Sequence, residues 1–342
     1  MPWTQARSAH TKACHAVSKC VLLFRVEENK GTISHSWRLG LLALGALLLS
    51  ACGESHLTQA RYSPQTTSAA YGQMPVVAES IQRNPDLWPT TAPSIYAESA
   101  IMVDARTGEV IYYKHPDVRR QAASTQKLLT ALLITERGNL DGSFTIAASD
   151  TDAEPTKLFI KAGERYTRRQ LLNAILVKST NDAAEALARD HSGSIPAFAQ
   201  DMNAKARQLG ATKSNFVNPH GLPAPGQYSC ARDLARIAFY AYRDPTIRSM
   251  VKMRGLNFRY SDGRVRYLET TNKLLAKLPM ANGMKTGFTN GAGKCLIASA
   301  STGGRDLIIV QLGSKSSYVF DDAAKMLTWG MQQRRSYNVA GL

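Results

Sequence analysis

Three short words occur in a fixed order along the chain: Ser124-Thr125-Gln126-Lys127, Ser179-Thr180-Asn181 and Lys285-Thr286-Gly287. Chance supplies about one Ser-x-x-Lys and about one Ser-x-Asn in a chain of this length, but Lys-Thr-Gly only about once in ten or twenty such chains. Order and context must therefore carry the case. A serine followed three residues later by a lysine is the pairing that nucleophilic acyl transfer needs, because positions i and i+3 of a helix share a face. A serine alcohol is inert near neutral pH, and a lysine takes its proton only if burial or nearby positive charge keeps the amine neutral. Apolar residues beside Lys127 and a second lysine at Lys285 would push in that direction. The start of a helix at Ser124 adds partial positive charge where an acyl oxygen would turn negative.

Ser179 and Asn181 fall in a break between two helical patterns. A hydroxyl there relays a proton to a leaving amine, and an amide holds both the lysine and a substrate backbone. Lys285-Thr286-Gly287 falls on a strand, where alternation sends Lys285 and Gly287 to one face and Thr286 to the other. Such a strand pairs with an extended peptide while Lys285 and a threonine hydroxyl grip a terminal carboxylate. The backbone N–H groups of Ser124 and Phe288 would form the oxyanion hole. The bland alternatives are an N-cap for Ser124, a solvated helix lysine for Lys127, and a shared helix cap for Ser179 and Asn181. Asp182 reads as a residue that compensates the helix dipole in the first turn.

The elements that must position these words follow from periodicity. Ala100 to Asp104 and Glu109 to Tyr113 read as two largely apolar strands of a covered sheet. A helical middle follows, with Leu128, Leu129, Leu132 and Leu133 on one face and Gly138 as its stop. Thr167 with Gln170 forms a capping box, another helix runs from Asn181 to about His191, and Ser194 with Pro196 opens one that Gly210 closes. Ser229 is read as the cap of a helix carrying Leu234 and Ile237. Phe258 to Leu268 alternates around Asp262-Gly263 as a peripheral hairpin. Three strands, Gly283 to Thr289, Cys295 to Ala300 and Leu307 to Leu312, then precede an amphipathic helix from Asp321 to Met331. The economical fold is mixed α/β: one five-stranded antiparallel sheet flanked by helices, with a helical region inserted between its second and third strands.

The 342 residues carry 44% apolar side chains, as an ordinary globular chain does, and 42 Lys plus Arg against 26 Asp plus Glu. That basic balance fits a solvated surface or an anionic envelope polymer, and no zinc-finger spacing or RNP-like word points to nucleic acid. The seven histidines form no His-Glu-x-x-His word, so neither a metal nor another cofactor is expected. His220, in Asn218-Pro219-His220-Gly221-Leu222, reads as a structural turn residue.

Leu39 to Ala51 is an apolar run of 13 residues, the length of a signal peptide core and too short to span a bilayer. Its end, Leu49-Ser50-Ala51-Cys52, resembles a bacterial lipoprotein box, so residues 1–51 are expected to be removed and Cys52 lipidated; an uncleaved membrane anchor is the alternative. The lead 1–36 is long and polar for a signal n-region, with no Met between Met1 and Met74, and is expected not to be translated. Residues 52–93 read as a solvated linker, 94–335 as one catalytic domain and 336–342 as a tail. Cys230 and Cys295 are expected to be separate buried thiols, with pairing as the alternative.

With the words placed, residues 94–335 resemble the serine-type D-Ala-D-Ala carboxypeptidases, the low-molecular-mass penicillin-binding proteins. The stretches MVDARTGEVIYYK, AASTQKLLTALL, KSTNDAAEALA, NPHGLPAPGQYSCARDLARIA and GMKTGFTNGAGKCLIASA all look like the corresponding family stretches. The resemblance implies a β-lactamase/transpeptidase-like fold and a Ser124 acylated by peptidoglycan stem peptides ending in D-Ala-D-Ala. Lys127 would be the base, Ser179 and Asn181 would assist proton transfer and binding, and Lys285 and Thr286 would hold the terminal carboxylate beside Gly287 and Phe288. Arg232 matches a basic position near that pocket; the alternative is a helix-surface arginine. β-Lactams would be covalent inhibitors, and the enzyme would act outside the cytoplasm, in the periplasm or on a membrane, the outer one included, with the lipid on Cys52 replacing the C-terminal membrane helix of many relatives. The second word departs from the commoner Ser-Gly-Asn, and Phe288 stands where some members have His.

Three rivals share the words. A class A β-lactamase would carry Glu-x-x-Leu-Asn between the second and third words, and none is present, so slow turnover of a penicilloyl enzyme is expected. A DD-endopeptidase acting on cross-links uses the same residues, and an inactive wall-binding lipoprotein would keep only the fold.

Overall fold

The computed structural model describes residues 91–333. The expected signal region, Cys52, the linker before residue 91 and the tail lie outside the described residues. Two β-rich stretches at either end of the described chain meet in one sheet. Strands β1 (Ser99–Asp104), β2 (Val110–Lys114), β7 (Ala281–Thr289), β8 (Gly293–Thr302) and β9 (Arg305–Ser314) are all antiparallel in the order β2-β1-β9-β8-β7. The early hairpin thus docks on the last strand, through pairs such as Ile101 with Val310.

Alternation explains why these strands read as nearly continuous apolar runs. Ile101, Val103, Ile297, Ile308 and Val310 face a core shared with the inserted helices. Ala100, Met102, Leu296, Ala298 and Ile309 face a second core closed by the last helix, Val319–Gln332. A sheet covered on both faces needs apolar residues at successive positions.

Between β2 and β7 lies the helical region: α1 (Lys127–Arg137), α2 (Arg168–Val177), α3 (Asn181–Ser192), α4 (Ile195–Gln208), α5 (Ala231–Arg243), α6 (Pro245–Val251) and the single turn α7 (Leu274–Lys277). The last helix is α8. Helix α1 is buried on nearly every side, from Leu128 to Ile134, and α2 to α6 pack around it. A helix apolar all round must be central, and this one carries the first word. Two small two-stranded sheets, β3 (Ser143–Thr145) with β4 (Arg165–Thr167) and β5 (Gly255–Arg259) with β6 (Val265–Glu269), stand apart from the main sheet.

The local signals mostly act as expected. Thr167 and Gln170 form a reciprocal capping box on α2, and Ser194 caps α4 with Pro196 in its first turn. Ser229 is a correction. The N-cap of α5 is Cys230, without a side-chain bond, because the Ser229 hydroxyl is paired with that of Ser214 at 2.8 Å. Asp233 in the first turn takes up the Ser214 hydroxyl and the Lys213 N–H instead, so tertiary partners displaced the local cap. Cys230 and Cys295 are buried and free.

Candidate active site

The nucleophile word does not begin an α-helix directly. Residues Ala123–Gln126 form one 3-10 turn that runs into α1 at Lys127. At three residues per turn, side chains at i and i+3 eclipse, which stacks Lys127 over Ser124. Lys127 Nζ lies 2.9 Å from Ser124 Oγ, 2.7 Å from Asn181 Oδ1 and 2.9 Å from the His220 carbonyl.

Those three partners define the protonation state that suits the site. Asn181 Oδ1 and the His220 carbonyl are acceptors only, so they take two N–H bonds; the third partner is a hydroxyl, which can donate. A neutral amine has two N–H groups and one lone pair, which matches that set. Lys127 is fully buried. Desolvating an ammonium costs several kcal/mol, whereas each hydrogen bond contributes about 1 kcal/mol, so burial dominates. Burial first and the Lys285 charge second push Lys127 well below the ordinary lysine range, against a smaller opposing pull from Asp182.

Asn181 sits in the first turn of α3, after a break at Ser179, whose φ of 70° is left-handed. Its amide N–H groups donate to the carbonyls of Glu154 at 3.0 Å and Pro155 at 2.9 Å, and its backbone N–H donates to Thr156 O. Its side chain is therefore occupied by the protein on both ends, and it serves here as a strut for Lys127. Asp182 does more than balance a dipole. Its buried carboxylate accepts from the N–H groups of Leu158 and Phe159 at 2.7–2.9 Å, clamping the 154–159 segment that holds Asn181.

Lys285 reaches the same centre from β7, the open edge of the main sheet. Its Nζ donates to Ser179 Oγ at 2.8 Å and to the Thr286 carbonyl at 3.0 Å, and burial lowers its pKa to about 7. Lys285 pairs with Ile297 and Gly287 with Cys295, so both lie on the face turned to the helical core, as alternation requires. Gly287 is needed for the close approach to Ser124: a Cβ there would stand 2.9 Å from Ser124 N and 3.0 Å from Ala123 Cβ. Phe288 is 53% exposed, with Lys294 Nζ 4.4 Å above its ring centroid. Thr286 is half-buried, and its hydroxyl lies 2.6 Å from that of Thr271.

Arg232 is not brought to this centre by any hydrogen bond or ion pair among the described residues. Its guanidinium grips both oxygens of Asp117, at 2.9–3.1 Å, and its backbone N–H donates to Pro116 O. It ties α5 to the segment after β2, much as a helix-surface arginine would. Among the described residues no group of three or more His, Cys, Asp or Glu is arranged to hold a metal ion.

Sequence reading passed over three contributors. The His220 carbonyl and those of Glu154 to Thr156 are backbone groups that no residue type announces. His220 itself is held by Glu185 at 3.1 Å from Nε2 and by the Leu222 N–H at Nδ1, and Gly221 follows it with a φ of 93° and its Cα turned to Ala123, where a Cβ would stand 2.0 Å from the Ala123 carbonyl. Asn218-Pro219-His220-Gly221-Leu222 is thus a turn, but one that aims a carbonyl at the Lys127 amine. Thr271 is the third, and no spacing marks it.

Residues 88–316 match the peptidase S11 family of D-alanyl-D-alanine carboxypeptidases. The chain is 33% identical over 247 residues to D-alanyl-D-alanine carboxypeptidase DacF of Bacillus subtilis, covering 70% of this chain and 64% of the relative. It is 34% identical over 252 residues to D-alanyl-D-alanine carboxypeptidase DacB2 of Mycobacterium tuberculosis, covering 72% of this chain and 86% of the relative. The crystal structure of the Streptomyces K15 DD-transpeptidase superimposes with a TM-score of 0.68 at 30% identity, over 71% of this chain and 99% of that one. The chain therefore spans just under two thirds of the first of these relatives and nearly all of the K15 fold. Carrying the serine, lysine and asparagine words in one centre on that fold, it belongs to the peptidase S11 family of D-alanyl-D-alanine carboxypeptidases.

Proposed function

We propose that this protein is a serine DD-carboxypeptidase that removes the terminal D-Ala from peptidoglycan stem pentapeptides. The observation that carries the reading is Lys127 Nζ, buried and held by two pure acceptors with Ser124 Oγ as its third partner. Ser124 Oγ attacks the carbonyl carbon of the penultimate D-Ala while its proton passes to Lys127 Nζ. The oxyanion forms beside the backbone N–H groups of Ser124 and Phe288, and Gly287, lacking a Cβ, lets Ser124 N approach the strand that carries Phe288. Collapse breaks the C–N bond, and the proton that Lys127 took passes through the Ser179 hydroxyl, which is bonded to Lys285, to the leaving amine, so that Lys127 is neutral again. Water then attacks the ester, Lys127 takes its proton, and the tetrapeptide acid and free Ser124 are released. Lys285 and Thr286 hold the terminal carboxylate, so β-lactams, which carry one, acylate Ser124 in the same way. Release of one D-Ala from a pentapeptide ending in D-Ala-D-Ala, with none from its L-Ala-terminated analogue, tests this; a chain that binds the peptide and releases nothing would sink it.

A pH dependence follows from Lys285. Its pKa is lowered from that of an ordinary lysine to about 7, so the free enzyme loses this charge as pH rises through 7. Substrate carboxylate needs the protonated form. We expect kcat/KM for the pentapeptide to fall by up to about tenfold per pH unit above that point, because this parameter reports the free enzyme's titration. A flat profile between pH 7 and 9 would remove Lys285 from carboxylate recognition.

The protein also acts from a membrane, through a lipid on Cys52 placed by the Leu49-Ser50-Ala51-Cys52 box. Among the described residues no helix is long and apolar enough to cross a membrane. Incorporation of labelled palmitate, and its loss in Cys52→Ala, checks the anchor; equal labelling of both would refute it.

A further inference from the structure

Thr286 is one of two groups assigned to the substrate carboxylate, yet its hydroxyl already has a partner: Thr271 Oγ1, 2.6 Å away. Thr271 belongs to none of the three words. It lies between β6 and α7, half-buried, and its main chain is pinned from two sides. Its N–H donates to the carbonyl of Val177, the last residue of α2 before Lys178-Ser179, and the N–H of Thr270 donates to Arg254 O. Thr271 is therefore anchored to the helix break that presents Ser179 and reaches across to the strand that presents Lys285 and Thr286.

Each hydroxyl has one proton, so only one of the pair donates to the other. If Thr286 donates to Thr271, its proton is used and only lone pairs face an arriving carboxylate, which they repel. If Thr271 donates, the Thr286 proton is free to point at the carboxylate. The anion selects the second arrangement, and the two O–H dipoles then line up toward the charge and polarise one another. We propose that Thr271 is a positioning residue that orients the Thr286 hydroxyl toward a carboxylate-terminated substrate. This rests on the carboxypeptidase reading of the site above.

The test compares wild type, Thr271→Val and Thr271→Ser on a depsipeptide substrate with a free terminal carboxyl and on the same substrate blocked as its methyl ester. Valine keeps the shape and removes the hydroxyl; serine restores it. We expect Thr271→Val to lower kcat/KM on the free acid by about 5- to 20-fold, mainly through KM, as lost orientation of one hydrogen bond to a charged group implies. Turnover of the ester should stay within about twofold, and Thr271→Ser should recover most of the loss on the acid. Equal losses on acid and ester would mean that Thr271 only supports the fold, and no loss on the acid would mean that Thr286 orients itself; either overturns the proposal. A wild type that fails to favour the acid over the ester would instead overturn the carboxylate grip itself, and Thr271 with it.

Discussion

Ser124→Ala is expected to lose all covalent labelling by benzylpenicillin and to cut D-Ala release by at least about a thousandfold, the scale on which removal of a covalent nucleophile acts. The experiment discriminates because the site holds a second serine and lysine pair. Lys285 Nζ donates to Ser179 Oγ at 2.8 Å, and Lys285 has a pKa near 7, so proximity and basicity alone would allow Ser179 to be the nucleophile. Position argues for Ser124. Its backbone N–H lies against Gly287 of the substrate strand, and the start of a 3-10 turn leading into α1 puts a positive dipole end at its carbonyl-attack side. Ser179 is almost fully buried and has no comparable pair of N–H groups assigned to it. Mass spectrometry of the intact protein after penicillin, followed by peptide mapping, reads the outcome. An adduct that persists in Ser124→Ala and maps to Ser179 would reverse the two roles.

Lys127→Met carries the second large effect. Methionine nearly matches the volume of the buried stem but offers neither a base nor donors. Loss of a positioned base lowers acylation by about 10³-fold, within the usual span of 10²–10⁴ for such groups. Stability should move far less. The Asn181 Oδ1 and His220 carbonyl lose their donor, which costs about 1–3 kcal/mol each, while the desolvation of the amine is relieved. These terms oppose one another, so a fall of only a few degrees in Tm is expected. Lys127→Arg should be equally inactive, because a guanidinium does not become neutral in a protein. Stopped-flow acylation with a chromogenic β-lactam, alongside calorimetry, separates the two readouts. A Lys127→Met variant that keeps a tenth of the acylation rate would show that another group takes the serine proton.

Two buried lysines 54 and 106 residues from their side-chain partners explain why this site is costly to build. The surrounding fold compensates through clamps that do no chemistry. Asp182 holds the 154–159 segment, that segment holds Asn181, and Asn181 holds Lys127. Pre-organisation of this kind would let Lys127 meet Ser124 without rearrangement at the moment of reaction.

Much of this was legible in the residues. The periodicity of β1, α1, α2 and β8 marked the sheet and its inserted helices, because burial on one or both faces leaves a pattern that does not depend on partners. The Thr167 capping box and the Asp262-Gly263 hairpin were local signals with local consequences. Ser124 with Lys127 was also local, since three residues on one turn decide their contact. What tertiary structure alone decided were the contacts between segments far apart in the chain. It turned Ser229 away from its helix to Ser214, and it gave Arg232 to Asp117. It aimed the His220 carbonyl at Lys127 and set Thr271 against Thr286. Backbone carbonyls are the same in every residue and a lone threonine has no period, so neither leaves a trace in sequence. The three words marked where the chemistry would lie; the partners of Lys127 and Lys285 came from packing.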